Sequence, residues 1–304
     1  MAELTRYLRP EVIQRIVPLE LRARRIVEGF IAGQHRSPYL GFSVEFAEHR
    51  EYVPGDDIRH IDWRVYGRAD RFYIKQYEEE TNLRTHILLD CSRSMAYPDP
   101  VPRGQLSKFE YASCVAASLA YLLMTQQDAV GLMLFDHRVR EQVPPTSHTG
   151  RLPELIDLID RTRPDGTTDV KILFRHLADR IRRRGMLILV SDLLAPIEDV
   201  IAGLQRFRFS GHEILVLHVL DHDELQFPFQ GPALFEGMER ADVTVRTDPQ
   251  SLRQTYLDAV QRFVSRIRRA CVDHRIDYAL LSTRDSLGVA LSAFLAQRMR
   301  TIKR

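Results

Sequence analysis

The sequence predicts an α/β fold in which helices cover both faces of a doubly wound, mostly parallel sheet. Short apolar runs, typical of buried strands, are found at residues 86–90, 129–136, 186–192, 212–221 and 277–282. They alternate with longer segments whose apolar residues recur every three or four positions, the period of an amphipathic helix. Such alternation predicts a parallel sheet that is buried on both faces. We therefore predict an α/β domain over residues 84–304, preceded by an extension at residues 1–83.

The helices of this domain follow from the same periodicity. The first is predicted at residues 107–126, with shorter ones at 152–160, 170–183 and 197–207. A long apolar stripe indicates a helix over residues 252–271, and a final helix is expected after the strand at 277–282. Residues 139–145 are predicted to return antiparallel to the strand before them.

The extension at residues 1–83 has a different pattern of apolar and polar residues. Residues 10–33 predict a helix that Pro18 interrupts, and the segments GFSVEF, REYV and RFYIKQYE are typical of short strands. Between the strands lies PGDDIRHIDW, a turn signal followed by a short amphipathic segment. The extension is therefore expected to be helical at its start and rich in strands towards residue 83.

Charge and composition limit the classes of partner and location. The chain has 304 residues and a formal net charge of only +2, without a basic balance confined to one surface, so we expect no nucleic-acid partner. The N-terminus has no apolar signal region, and no apolar run approaches the ~18 residues of a membrane span. The three cysteines are widely separated, which argues against a disulfide framework. These observations predict a cytoplasmic protein without a membrane partner.

Polar side chains follow two of the predicted strands, at the point where each strand ends. Asp90 is followed by Ser92 and Ser94, and a second apolar strand ends at Asp192. Because ligands of open α/β sheets bind at the carboxyl ends of the strands, these groups are expected to converge. The loop at residues 164–170 lies between the two strands in sequence and offers further hydroxyls. Such an all-oxygen set suits Mg²⁺, although Asp and Ser after a strand also cap helices and form turns.

These residues resemble the metal-ion-dependent adhesion site of a von Willebrand factor A-type domain. The resemblance implies a divalent cation, Mg²⁺ or Mn²⁺ or Ca²⁺ in its place, with ligands from five positions: Asp90, Ser92, Ser94, Thr168 and Asp192. Thr168 matches the threonine of the family's second loop best, and Thr167 is the alternative. A serine precedes Asp192 where threonine is more frequent, which preserves the carboxylate.

The segment at residues 51–80, EYVPGDDIRHIDWRVYGRADRFYIKQYEEE, is similar to the signature of a bacterial family known as domain of unknown function 58. Genes of that family commonly neighbour those of MoxR-type AAA+ ATPases. The resemblance therefore implies an adaptor or co-chaperone whose partner is a MoxR-type AAA+ ATPase or its client protein. In this interpretation the metal ion binds a carboxylate of the partner, and the protein is not an enzyme.

Two alternatives remain open. One is a metal-dependent hydrolase, acting on phosphoesters, although each familiar template fails at a required residue. Ser92 stands where a haloacid-dehalogenase phosphatase carries its second aspartate, and no Gly-x-Ser-x-Gly elbow surrounds it. The other is a purely structural adaptor with an empty site. The polar segment at residues 54–63 is interpreted as a turn and a capped short helix, with a docking surface as the alternative. The cluster at residues 218–224 matches no metal-binding spacing and is interpreted as a satisfied, partly exposed polar cluster.

Overall fold

The computed structural model describes most of the α/β region and part of the extension. The described residues are 45–52, 65–66, 72–78, 84–99, 105–125, 127–167, 170, 174, 177, 180–181, 183–239 and 244–285. Those up to residue 78 and those from residue 84 belong to two compact units. The helix predicted at 10–33, the segment 54–63, Thr168 and the final helix lie outside the described residues. The division at residues 83 and 84 stays a prediction.

The first unit contains an antiparallel pair of strands, β1 (Glu45–Glu51) and β2 (Tyr73–Glu78). The pair is closed at one end by a hydrogen bond from the Tyr52 backbone N–H to the Phe72 carbonyl at 2.8 Å. The ring of Phe72 stacks on Tyr66, with ring centroids 4.4 Å apart. β2 lies within the predicted strand RFYIKQYE, whereas β1 joins the end of GFSVEF to the start of REYV, which the sequence predicts as separate strands.

In the second unit, strands alternate with helices along the chain. Its strands are β3 (Arg84–Asp90), β4 (Ala129–Phe135), β5 (Val139–Thr146), β6 (Met186–Ser191), β7 (Glu213–Leu220), β8 (Ala233–Glu236), β9 (Thr244–Thr247) and β10 (Asp277–Ser282). Six of them form one sheet in the order β10-β7-β6-β3-β4-β5. Only β5 in that sheet is antiparallel to its neighbour. The predicted α/β fold with a mostly parallel sheet is confirmed.

Helices connect these strands and cover the sheet. They are α1 (Lys108–Thr125), α2 (Leu152–Arg161), α3 (Ile197–Phe209), α4 (His222–Gln226) and α5 (Pro249–Asp273). Residues 170, 174, 177 and 180 are also helical, as the prediction for 170–183 requires. Helix α5 begins where the side chain of Asp248 accepts a hydrogen bond from the Gln250 N–H, with Pro249 at the first helical position.

The core is close-packed between helix α3 and the sheet. Phe174 and Phe207 pack edge to face, with ring centroids 5.7 Å apart. Gly203 allows this approach, because a Cβ built there would lie 1.7 Å from Cδ2 of Phe174. A side chain at this position would have to displace a buried aromatic ring.

The winding of the sheet reverses beside β3. The chain passes from β3 to β4 on one side, whereas β6, β7 and β10 extend the sheet on the other. A crevice between neighbouring strands is expected at such a reversal, outside their carboxyl ends. The antiparallel pair β8–β9, which the sequence did not predict, follows the short helix α4 in the chain.

Candidate functional site

The reversal brings together the ends of two parallel strands, β3 and β6. Leu89 of β3 is opposite Val190 of β6, so Asp90 and Ser191 follow at the same edge of the sheet. The hydroxyl of Ser191 donates a hydrogen bond of 2.5 Å to Oδ2 of Asp90. The strand ends therefore meet directly, as the sequence predicts.

Asp90 is fully buried and held on both carboxylate oxygens. Its Oδ1 accepts a hydrogen bond of 2.9 Å from the Ser92 backbone N–H, and its Oδ2 accepts from Ser191. Burial, and then the negative charge of Asp192, raise the pKa of Asp90 to about 7. Asp90 therefore changes charge near neutral pH, and a cation beside it would favour the ionised form.

The side chains of Ser92 and Ser94 contact each other beside Asp90. The hydroxyl oxygens of Ser92 and Ser94 are 3.1 Å apart, and both side chains are buried. Ser94 belongs to a short 3₁₀ helix at Arg93–Ala96, which follows directly after β3. The Ser94 side chain is also hydrogen-bonded to Asp192. Contacts thus run from Asp90 through the serines to Asp192.

Asp192 is held by a buried lysine that the sequence analysis missed. Lys108, the first residue of α1, donates from Nζ to Oδ2 of Asp192 at 2.8 Å. Burial alone would raise the pKa of Asp192, but the attraction of Lys108 outweighs burial and lowers it. Asp192 is therefore ionised and already carries a counter-ion.

The same ammonium group binds a second carboxylate. Nζ of Lys108 donates to Oε1 of Glu224 at 2.7 Å, and the backbone N–H of Asp221 donates to Oε2 of Glu224. The cost of burying Lys108 would lower its pKa, but the two carboxylates reverse this and raise it. Burial raises the pKa of Glu224 despite its contact with Lys108. A fully buried lysine in this position is charged and firmly oriented.

Hints of these two residues do exist in the sequence. The chain has only four lysines among its many arginines, and Lys108 begins an otherwise apolar helix. Glu224 lies in the polar segment 218–224, which the sequence analysis interpreted as a satisfied, partly exposed cluster. In the structure Asp221 and Glu224 do form a capping box at α4. Glu224 performs both roles, because one carboxylate oxygen caps the helix and the other binds Lys108.

His218, the first residue of that segment, is fully buried. Its Nε2 lies 2.9 Å from the Asp192 carbonyl, and its Nδ1 lies 2.8 Å from the Tyr278 hydroxyl. Because a carbonyl only accepts, Nε2 donates, and the neutral ring accepts the tyrosine proton at Nδ1. Burial lowers the pKa of His218 to about 4. His218 therefore supports the backbone behind Asp192.

The donor set can be compared with the needs of Mg²⁺. At metal–oxygen distances of about 2.0–2.1 Å, adjacent ligands of an octahedral ion are about 3 Å apart. The two serine hydroxyls, 3.1 Å apart beside Asp90, match that edge. Among the described residues, no group of three or more His, Cys, Asp or Glu side chains is placed to hold a metal. The arrangement thus fits a cation held by hydroxyls, water and one carboxylate.

The structure describes four of the five predicted metal ligands. Asp90, Ser92, Ser94 and Asp192 lie together, but Lys108 occupies one oxygen of Asp192. Thr168 lies outside the described residues, while the alternative Thr167 is described and exposed. The role of all five residues as metal ligands stays a prediction.

Comparison with known proteins relates the chain to bacterial proteins. It is 25% identical over 273 residues to the uncharacterized protein Rv1480 of Mycobacterium tuberculosis, covering 89% of this chain and 81% of that protein.

Among solved structures, the chain is similar to the von Willebrand factor A domain of SpRpn10, with 14% identity, a TM-score of 0.38, and coverage of 71% of this chain and 95% of that one. The predicted resemblance to von Willebrand factor A-type domains is confirmed as a resemblance of fold.

A second solved structure bears on location. It is an aerotolerance-related membrane protein from Bacteroides fragilis, with 19% identity, a TM-score of 0.47, and coverage of 72% of this chain and 99% of that one. Because such structural relatives are described as membrane proteins, the prediction of a cytoplasmic protein is wrong. Within the described residues, no helix has the length and apolar character needed to cross a membrane.

The family resemblance noted in the sequence is confirmed by a match over residues 48–265, which is more than half of the chain. That match includes the whole 51–80 segment and the strand ends that carry Asp90 and Asp192. The chain therefore belongs to the family described as "Protein of unknown function DUF58".

Proposed function

We propose that this protein is a metal-dependent interaction module that binds a carboxylate of a partner protein through Mg²⁺. The observation that carries the proposal is the pair of buried serine hydroxyls, hydrogen-bonded to each other at 3.1 Å, on the loop whose Ser92 N–H binds Asp90 at the sheet reversal. Ser92, Ser94 and Asp90 would hold the ion, with Thr168 as a further ligand. When bound, Mg²⁺ supplies an open coordination position that an incoming Asp or Glu can fill.

The remaining charged groups have supporting roles. Asp192 accepts a hydrogen bond from Ser94, so the lone pairs of that hydroxyl are left to face the ion. Lys108 neutralises Asp192, which leaves Asp90 as the principal negative charge on the ion. The cation is then under-neutralised, and this favours an acidic group from outside.

We further propose that the partner is a MoxR-type AAA+ ATPase or its client, with the protein acting as an adaptor or co-chaperone. This choice rests on the resemblance to the family known as domain of unknown function 58, because genes of that family commonly neighbour those of such ATPases. The fold supports the coarser part of the proposal, an interaction module.

The test compares Asp90→Ala with a control on the same loop. Asp99→Ala removes an exposed carboxylate that is 3.7 Å from Arg93 and outside the serine pair. Calorimetric titration should show a Mg²⁺ response in the wild type and in Asp99→Ala but not in Asp90→Ala. Thr168→Ala should weaken the response more than Thr167→Ala.

Binding of the ATPase is then measured with Mg²⁺ and with EDTA. Losing a desolvated charged contact costs about 2–5 kcal/mol, so Asp90→Ala should lower affinity ~30-fold or more. Urea unfolding of Asp90→Ala checks that the fold survives the loss of two hydrogen bonds. Unchanged binding in EDTA would refute the metal contact. Phosphoesterase activity that disappears with Asp90 would instead favour the hydrolase.

A further inference from the structure

A cavity of about 390 Å³ opens beside the candidate site and shares Ser94 and Lys108 with it. Five aromatic side chains line it: Tyr97, Phe227, Phe229, Phe235 and Tyr256. They come from four parts of the second unit, namely the loop after β3, the residues after α4, strand β8 and helix α5. We call this cavity the aromatic pocket.

The rings of the aromatic pocket contact one another. Phe227 lies with its ring centroid 4.5 Å from that of Tyr256 and 5.1 Å from that of Phe229. Phe229 in turn packs edge to face against Phe235, with centroids 5.5 Å apart. Rings that hold one another in this way present fixed π faces to a ligand at little cost in conformational entropy.

Phe227 is held in an unusual backbone conformation. Its φ is 45° and its ψ is 63°, in the left-handed region that a bulky residue rarely adopts. The side chain is nevertheless buried among the other rings. Such strain persists only where the surroundings enforce it, and it is concentrated at binding sites.

The charges around the aromatic pocket favour a cation. Its described lining residues include the carboxylates of Asp223, Glu224 and Glu239 but a single cation, Lys108. That cation is bound to Asp192 and Glu224. Arg284 lies 3.7 Å from Asp223, and its side chain is 54% exposed, so solvent weakens this contact.

The pKa values of the two tyrosines in the pocket wall are affected by neighbouring carboxylates. Burial raises the pKa of Tyr97, and the charges of Asp223, Asp221 and Glu224 raise it further. Burial and then Glu224 raise the pKa of Tyr256 to about 12. Lys108 opposes the effect of Glu224 at Tyr256, so it is the three carboxylates beside Tyr97 that disfavour an anionic ligand in this space.

We propose that the aromatic pocket binds an arginine side chain of a partner protein. A guanidinium group stacks on aromatic faces and pairs with carboxylates through a planar fork of donors, and this pocket offers both. A purely apolar side chain would desolvate the carboxylates without a hydrogen bond in return. The proposal goes beyond the metal contact and does not require it, so it can be tested in EDTA.

The probe is Nα-acetyl-L-arginine amide, and Nα-acetyl-L-citrulline amide is its neutral isostere. Binding is followed by NMR of ¹³C-methyl methionines, because Met238 lines the pocket; Met238→Leu assigns its signal. We expect the Met238 methyl to shift saturably with the arginine probe, less with Nα-acetyl-L-lysine amide, and not with citrulline. Equal shifts for arginine and citrulline, tighter binding of lysine, or no saturable shift would each overturn the proposal.

Two variants locate the contact. Phe235→Leu removes a ring but keeps an apolar side chain, and Asp223→Asn removes a charge without changing shape. Each should weaken arginine binding about 2- to 30-fold, the range for cation–π and partly screened charge contacts. Phe209→Leu is the matched control, since that ring is 85% exposed on α3 and outside the pocket. Unchanged binding in both test variants would refute the assignment.

Free L-arginine separates a partner's side chain from a small-molecule ligand. It carries an extra ammonium and carboxylate that a residue within a protein lacks. We expect it to bind no more tightly than the amide probe. Much tighter binding of free arginine would overturn the inference of a protein partner in favour of a metabolite.

Discussion

Replacing Lys108 with methionine should destabilise the protein strongly, although only one residue changes. Methionine keeps an unbranched apolar stem of similar length but has no charge. The change removes two contacts, of 2.8 Å to Asp192 and 2.7 Å to Glu224, from a site where the lysine is fully buried. Breaking a buried ion pair by removing one partner costs about 3–5 kcal/mol, because the other charge stays buried. Since domains are stable by about 5–15 kcal/mol, this is a large share.

The loss should also depend on pH in a defined direction. Without Lys108, burial raises the folded-state pKa values of both carboxylates above their unfolded values. The unfolded chain then loses its protons near pH 4, while the folded variant keeps them to higher pH. Stability of the variant is therefore lost as pH rises from about 4 towards the raised values. The gap between wild type and Lys108→Met should be wider at pH 8 than at pH 5.

Urea unfolding followed by circular dichroism measures both effects. Arg161→Met is the control, since it removes a cation whose side chain is 63% exposed and paired with Glu141. An exposed pair contributes up to about 1 kcal/mol, so this variant should remain near wild type. A triple variant that adds Asp192→Asn and Glu224→Gln to Lys108→Met should recover most of the loss, because no charge is left unpaired. A loss below about 1 kcal/mol, or one that does not change with pH, would refute the buried ion pair.

Two further predictions test the surroundings of the site. His218 has its pKa lowered to about 4, against about 6.5 in an unfolded chain, so the unfolded state takes up a proton first as the pH falls. The wild type should therefore lose about 2 kcal/mol of stability between pH 7 and pH 5 that His218→Gln does not lose, measured by urea unfolding at both pH values. Gly203→Ala should cost about 1–3 kcal/mol, because its Cβ would meet the buried ring of Phe174. Gly150→Ala, where nothing lies within 4 Å of the new Cβ, should be neutral or slightly stabilising in the same thermal melts.

The strands of the central sheet could be predicted because their signal is local. Each is a run of six to eight residues, largely buried in the inner strands, and the strand at Asp277–Ser282 has the bounds that the sequence indicates. The pair β8–β9 gave no such signal. Its strands have four residues each, and their side chains are mostly exposed or half-buried. Too little apolar surface repeats there for periodicity to be visible.

The residues of the candidate site also fall into those that the sequence predicts and those that it does not. Asp90, Ser92, Ser94 and Asp192 could be predicted because parallel strands end at one edge, so position along the chain implies position in space. The ion pair of Lys108 with Glu224 joins residues 116 positions apart, and no spacing rule anticipates it. The prediction of location was wrong for a different reason. The prediction relied on apolar runs within the chain, and such runs bear on membrane spans but not on association with a membrane through other surfaces.

Lys108 and the proposed Mg²⁺ are two cations that lie beside the same pair of carboxylates, and each binds a different one of them. Lys108 holds Asp192, so the metal is left with Asp90, whose pKa near 7 means that proton and metal compete for the same oxygens. Both effects weaken binding of Mg²⁺ to the protein alone. They also leave the bound ion short of negative charge, which a partner's carboxylate can supply once water is excluded. The aromatic pocket, which shares Ser94 and Lys108 with this site, would then receive an arginine close to that acid. An acidic residue near an arginine is thus the partner surface that the charges at this edge of the sheet favour.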